Sequence, residues 1–97
     1  MTKEFYIERI DGGKCNFNLW EKYGSRYFNV ATLFYQDAIC RSQWTTDDKE
    51  NAVNYGTDEI QDEIESPLKQ IPTEMAQHLL KLTSAKEVAD SIEGLLG

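Results

Sequence analysis

The sequence predicts an α+β fold, an antiparallel four-stranded meander sheet in the N-terminal half packed by two to three C-terminal helices. Three observations carry that expectation. All eleven aromatic residues lie at or before Tyr55, and aromatic and β-branched side chains suit a pleated, half-buried surface. Alternating apolar patterns fill the first half, and helical periodicity fills the second. Charge divides at the same place: residues 1–48 hold six basic and seven acidic side chains, residues 49–97 four basic and ten acidic. A strand-like half followed by a helix-like half is the order of an α+β domain. A chain of 97 residues suffices for one core and one domain.

The first strand is expected over residues 4–10. Asp11, Gly12 and Gly13 supply a hairpin turn, because Asp-Gly readily adopts positive φ. Residues 14–20 then alternate strictly, with Cys15, Phe17 and Leu19 on one face and Asn16, Asn18 and Trp20 on the other. After a turn at Tyr23, Gly24 and Ser25 comes the stretch 26–35, which has no Gly or Pro and carries apolar residues on both parities. Such a strand is covered on both faces and belongs mid-sheet. Gln36 and Asp37 close the next hairpin, and residues 38–44 make the fourth strand.

Alternation assigns Phe5, Ile7, Cys15, Phe17, Leu19, Phe28, Val30 and Phe34 to the face beneath the helices. Tyr6, Asn16, Asn18, Trp20, Tyr27, Asn29 and Tyr35 take the other. That second set is either an ordinary wet face of an antiparallel sheet or a binding surface, since its composition suits both.

Residues 45–56 read as a polar connection. Ile60, Ile64, Leu68 and Ile71 recur at spacings of four, four and three and predict a helix over 57–71, with Pro67 able to divide it. Pro72 and Thr73 open the next helix, with Met75, Leu79 and Leu82 along one side. Ser84 and Glu87 have capping-box spacing and launch a last helix with Val88, Ala89, Ile92, Leu95 and Leu96 inward.

The functional pointers are electrostatic. The formal net charge is −7, which argues against direct binding of nucleic acid, whose affinity comes from Lys and Arg displacing counterions, and equally against anionic membranes. The N-terminus has no apolar signal region and no run of roughly 18 apolar residues exists, so a cytoplasmic location is expected. Cys15 and Cys40 read as two free thiols acting as small hydrophobes, with a single disulfide between them as the alternative, and they lack metal-ligand spacing.

Between residues 47 and 65 there are eight carboxylates, Asp47, Asp48, Glu50, Asp58, Glu59, Asp62, Glu63 and Glu65, against the single Lys49. No EF-hand fits them, because Gly56 is preceded by Asn51, Val53 and Tyr55 at the ligand positions. No catalytic motif occurs, and the one histidine, His78, falls on a helix surface among Met75, Leu79 and Leu82. No catalytic residue, metal or cofactor is therefore expected.

The expected function is non-enzymatic contact with a protein bearing a basic surface, made through those eight acids with Trp44 and Tyr55 as flanking aromatic anchors. Where that basic surface holds nucleic acid, the chain inhibits by occlusion. It is similar in small size, acidity and α+β character, though in no motif, to anti-defence DNA mimics of phages and mobile elements. The alternative is an assembly module, a homodimer buried through the Tyr/Asn/Trp sheet face or the Leu95 and Leu96 end.

Overall fold

The computed structural model describes residues 2–10, 15–35 and 42–96, of which 94–96 are described by backbone alone. The predicted turns at 11–13 and 36–37, the first part of the predicted fourth strand and Cys40 lie outside the described residues, as do the side chains of Leu95 and Leu96.

Six strands form one sheet, β1 (Glu4–Arg9), β2 (Phe17–Tyr23), β3 (Arg26–Phe34), β4 (Gln43–Thr46), β5 (Asn54–Gly56) and β6 (Lys69–Ile71). Every pairing is antiparallel. The order is β4-β3-β2-β1-β6, with β5 beside β3. The first four strands are the expected meander, and β3 is its centre. The sheet is larger than predicted because two segments read as connection and helix supply β5 and β6.

The helices are α1 (Ile60–Glu63), α2 (Thr73–Lys81) and α3 (Ala85–Leu96). Helix α2 lies against β1, and α3 against β3 and β4. They cover one face, called inner here. Phe5, Ile7, Phe17, Leu19, Val30, Ala31, Leu33 and Ile71 from the sheet meet Ala76, Leu79, Val88, Ala89 and Ile92 in one core. Pro72 begins α2, where its missing N–H is no loss, and its carbonyl accepts from Ala76 N at 3.1 Å. Ser84 Oγ accepts from Glu87 N at 3.4 Å, which is the Ser84 half of the predicted capping box.

Alternation misplaces one stretch. Leu19 pairs with Ala31 but Trp20 pairs with Asn29, so Val30 is an extra residue in β3. A bulge puts two residues against one and reverses parity beyond it. Val30 and Ala31 are both buried, Leu33 takes the inner position, and Phe34, predicted inward, is 37% exposed.

The predicted helix over 57–71 is likewise corrected. Only one turn forms, and Ile64 is already extended with ψ 146°. Pro67 restricts Ser66 to extended backbone, and Lys69–Ile71 then pairs with β1. Ile71 sits opposite Phe5 in the inner core, whereas Ile60 is buried outside that core. Two isoleucines that read as one helical stripe thus belong to different sides of the sheet.

Candidate functional site

The acidic half of the chain is positioned by β5 and β6. Strand β5 lies beside β3 and β6 beside β1, so residues 57–68 must cross β3, β2 and β1 to join them. They cross the outer face. Glu8, which is opposite Asn18 in the ladder and has its side chain on that face, accepts from the backbone N–H of Glu65. Ser66 Oγ donates to the Arg9 carbonyl at 2.7 Å. Within the crossover Glu59 N donates to Gly56 O at 3.0 Å and Asp62 N to Glu59 O at 3.1 Å.

Glu8 is only 1% exposed. Burying a carboxylate is costly unless donors replace water. Here Trp20 Nε1 donates to Oε1 at 2.8 Å, Asn18 Nδ2 donates to the same oxygen at 3.1 Å, and Glu65 N donates to Oε2. Thr32 Oγ1 extends the network by donating to Asn18 Oδ1 at 2.7 Å. Trp20 and Ile60 are both buried without belonging to the core that α2 and α3 cover. The outer face is therefore not a freely wet one. Trp20 and Asn16 are buried, and Tyr35 packs against the inner core with its N–H donating to Asn16 Oδ1 at 2.8 Å.

Five of the predicted acids ride the crossover region, Asp58, Glu59, Asp62, Glu63 and Glu65, and all five are exposed. The other three, Asp47, Asp48 and Glu50, lie on the connection from β4 to β5. That connection leaves and rejoins β3 at the bulge, with Asp47 N donating to Val30 O at 2.9 Å and Asn29 N to Val53 O at 2.8 Å. Its Lys49 pairs with the buried Glu21 and covers the Tyr23 ring at 4.3 Å. Glu21 is opposite Phe5 in the ladder, so Lys49 reaches the inner side. The acidic run is thus divided, with 47–50 at one sheet margin and 58–65 across the outer face. None of the eight carboxylates is ion-paired among the described residues, and Lys49 is committed to Glu21.

The two predicted anchors are on opposite sides. Trp44 pairs with Leu33 and packs on Phe17 at 5.8 Å, on the inner side. Tyr55 pairs with Tyr27 and lies 6.0 Å from Trp20, on the outer side with the crossover. Tyr55 therefore accompanies the 58–65 acids, and Trp44 does not. Trp20 and Ile60 enter the sequence reading only as a sheet-face residue and a helix-stripe residue, and Glu8 is not singled out there at all. Glu8 occupies a strand position indistinguishable from a solvent-facing acid until the crossover is laid over it.

On the same face Tyr6 OH donates to Glu4 Oε2 at 2.7 Å, and the Tyr6 ring meets Tyr27 edge-on at 5.7 Å. Its phenol is pushed up to about 12, first by that bond to Glu4, then by burial and by the negative charge of Glu4. A hollow of about 240 Å³ lined by Thr2, Glu4, Lys22 and Gly24 adjoins this corner. A second, of about 270 Å³, is lined by Gln61, Ile64, Glu65, Ser66 and Pro67 of the crossover. Neither contains a nucleophile beside a base. His78 is exposed on α2, and Cys15 is a half-buried free thiol against the inner core. Among the described residues no three His, Cys, Asp or Glu side chains converge as a metal site, and no helix is long and apolar enough to cross a membrane.

No protein family, curated protein or solved structure matches the chain.

Proposed function

We propose that this is a non-enzymatic binding protein of the cytoplasm that acts by protein–protein contact, presenting carboxylates to a basic surface of its partner. One observation carries the reading. Five exposed carboxylates, without an ion pair among the described residues, are displayed on a segment held across the sheet by a buried hydrogen-bond network. While the segment lies on that support its charges are presented in one arrangement, which lowers the entropy lost when a partner docks on it. Acid-to-base complementarity speeds encounter and sets specificity. Tyr55, on the same side of the sheet, is the aromatic anchor of this patch, and Asp47, Asp48, Glu50 and Trp44 form a second, marginal contact. If the basic surface is one that normally binds nucleic acid, the protein inhibits by occupying it, in the manner of the acidic DNA mimics it resembles in bulk properties.

The test is a pull-down with the wild-type protein and a variant carrying Asp58→Lys, Glu59→Lys, Asp62→Lys and Glu63→Lys, at low and moderate salt. The expected partner is captured by wild type, released as salt rises, and ignored by the variant. Capture that survives all four reversals overturns the reading. The homodimer alternative has less sheet surface to use, because the crossover already occupies part of the Tyr/Asn/Trp face.

A further inference from the structure

The crossover combines secure attachment at a few points with a run of like charge. Residues 57–68 contain five acids and no basic residue. Their one helical turn, α1, is too short to persist alone, and its N-cap residue Glu59 makes no side-chain capping bond. Asp58, Glu59, Asp62, Glu63 and Glu65 are all exposed within one short segment, so their like charges repel. Beneath them lies another carboxylate, Glu8. The attachments are the bond from Thr57 N to the Ser25 carbonyl at 3.1 Å, the buried Ile60, the bond from Glu65 N to Glu8, and the bond from Ser66 Oγ to the Arg9 carbonyl. Both ends are fixed in strands β5 and β6, so the segment is free to part from the sheet without the sheet separating.

We propose that residues 57–68 are a strap that opens as a unit, with Glu8 as its latch and the mutual repulsion of its own carboxylates loading it toward release. Closure organises the acids over the outer face. Opening separates Ile60 from the sheet and uncovers Trp20. Segments with few buried contacts open locally at less cost than global unfolding. Screening reduces the repulsion, so added salt closes the strap, opposite in sign to its effect on an acid-to-base contact. A basic partner neutralises the same charges, so docking and closure reinforce one another. Glu8 is a positioning residue in this scheme and touches no partner. The latch does not depend on the docking reading, because it is tested on the isolated chain.

The experiment is amide hydrogen exchange on the full chain, wild type and Glu8→Gln, from roughly 20 mM to roughly 300 mM NaCl, a range over which the screening length shortens severalfold. Glutamine keeps the size but places an N–H2 where either Glu65 N–H or the Trp20 and Asn18 donors need an acceptor. The expected result is that amides 60–66 exchange faster than those of β2 and β3 and slow as salt rises. Glu8→Gln should accelerate them roughly tenfold or more, the scale of one lost charge-assisted bond, with the strap amides still exchanging ahead of those of β2, β3 and α3. Exchange of the strap in step with β2 and β3 at every salt concentration would overturn the proposal, as would a strap rate indifferent to Glu8→Gln. Should that variant fail to fold, the wild-type salt series decides alone, since a rate that does not fall with salt excludes a charge-loaded strap.

Discussion

The backbone N–H of Glu65 donates to the buried carboxylate of Glu8, 57 residues earlier in the chain. The interaction uses the backbone of one acid and the side chain of another, so two negatively charged residues are held together without neutralisation. It also separates two roles of position 65. Glu65→Pro removes the donor and leaves an oxygen of a buried carboxylate without a partner, and is expected to destabilise by about 1–3 kcal/mol. Ile64 is already extended, as a residue before proline should be. Glu65→Gln keeps the N–H and removes only an exposed charge, so its urea midpoint should match wild type. Equal losses in the two variants would show that the side chain, and not the amide, matters.

Lys49 and Glu21 give a second prediction. Glu21 retains 6% side-chain exposure and Lys49 35%, so the pair is half screened. Lys49→Ala leaves Glu21 buried without its counter-charge and removes the cation from the Tyr23 ring. The expected loss is about 1–3 kcal/mol, below the range for a fully buried pair. Glu21→Gln introduced with Lys49→Ala should recover much of it, because an amide tolerates that site without a counter-charge. Chemical denaturation of the four proteins of this cycle gives the coupling directly.

Tyr6 gives the third. Its phenol is raised in the folded protein to about 12, from an ordinary value of 10.0. The protonated form is therefore the one that folding favours. The stabilisation is fully present below pH 10 and is lost as pH rises toward 12, because the unfolded chain releases the proton first. An ultraviolet titration should show one tyrosine ionising later than the others. Tyr6→Phe should remove that late step and flatten the stability loss over the same window, and a late step that persists in Tyr6→Phe would assign it elsewhere.

Much of this fold was legible because local pattern and tertiary role coincide. Phe5, Ile7, Phe17 and Leu19 alternate in sequence and line the inner core. Pro72 and Ser84 begin helices where start signals place them. The failures share one cause. Periodicity reports which residues are apolar and how they are spaced, but not which neighbour arrives to cover them. Phe34 faces outward because of one extra residue at Val30, and nothing in a run apolar on both parities marks where the count slips. Ile60, Ile64, Leu68 and Ile71 have helical spacing, yet Pro67 and pairing to β1 outweigh it over a segment too short to hold a helix alone.

The candidate site divides along the same line. Composition and order alone determined that the chain is acidic, that its acids cluster between Asp47 and Glu65, and that strands precede helices, because charge and propensity belong to residues individually. Only the tertiary structure decided that five of those acids are carried over the outer face, that three stay at the margin, and that Trp44 and Tyr55 part company. It alone made Glu8 a buried acceptor instead of one more surface acid. Those outcomes depend on where β5 and β6 pair, and strand pairing is a contact between residues far apart in sequence that no local pattern encodes.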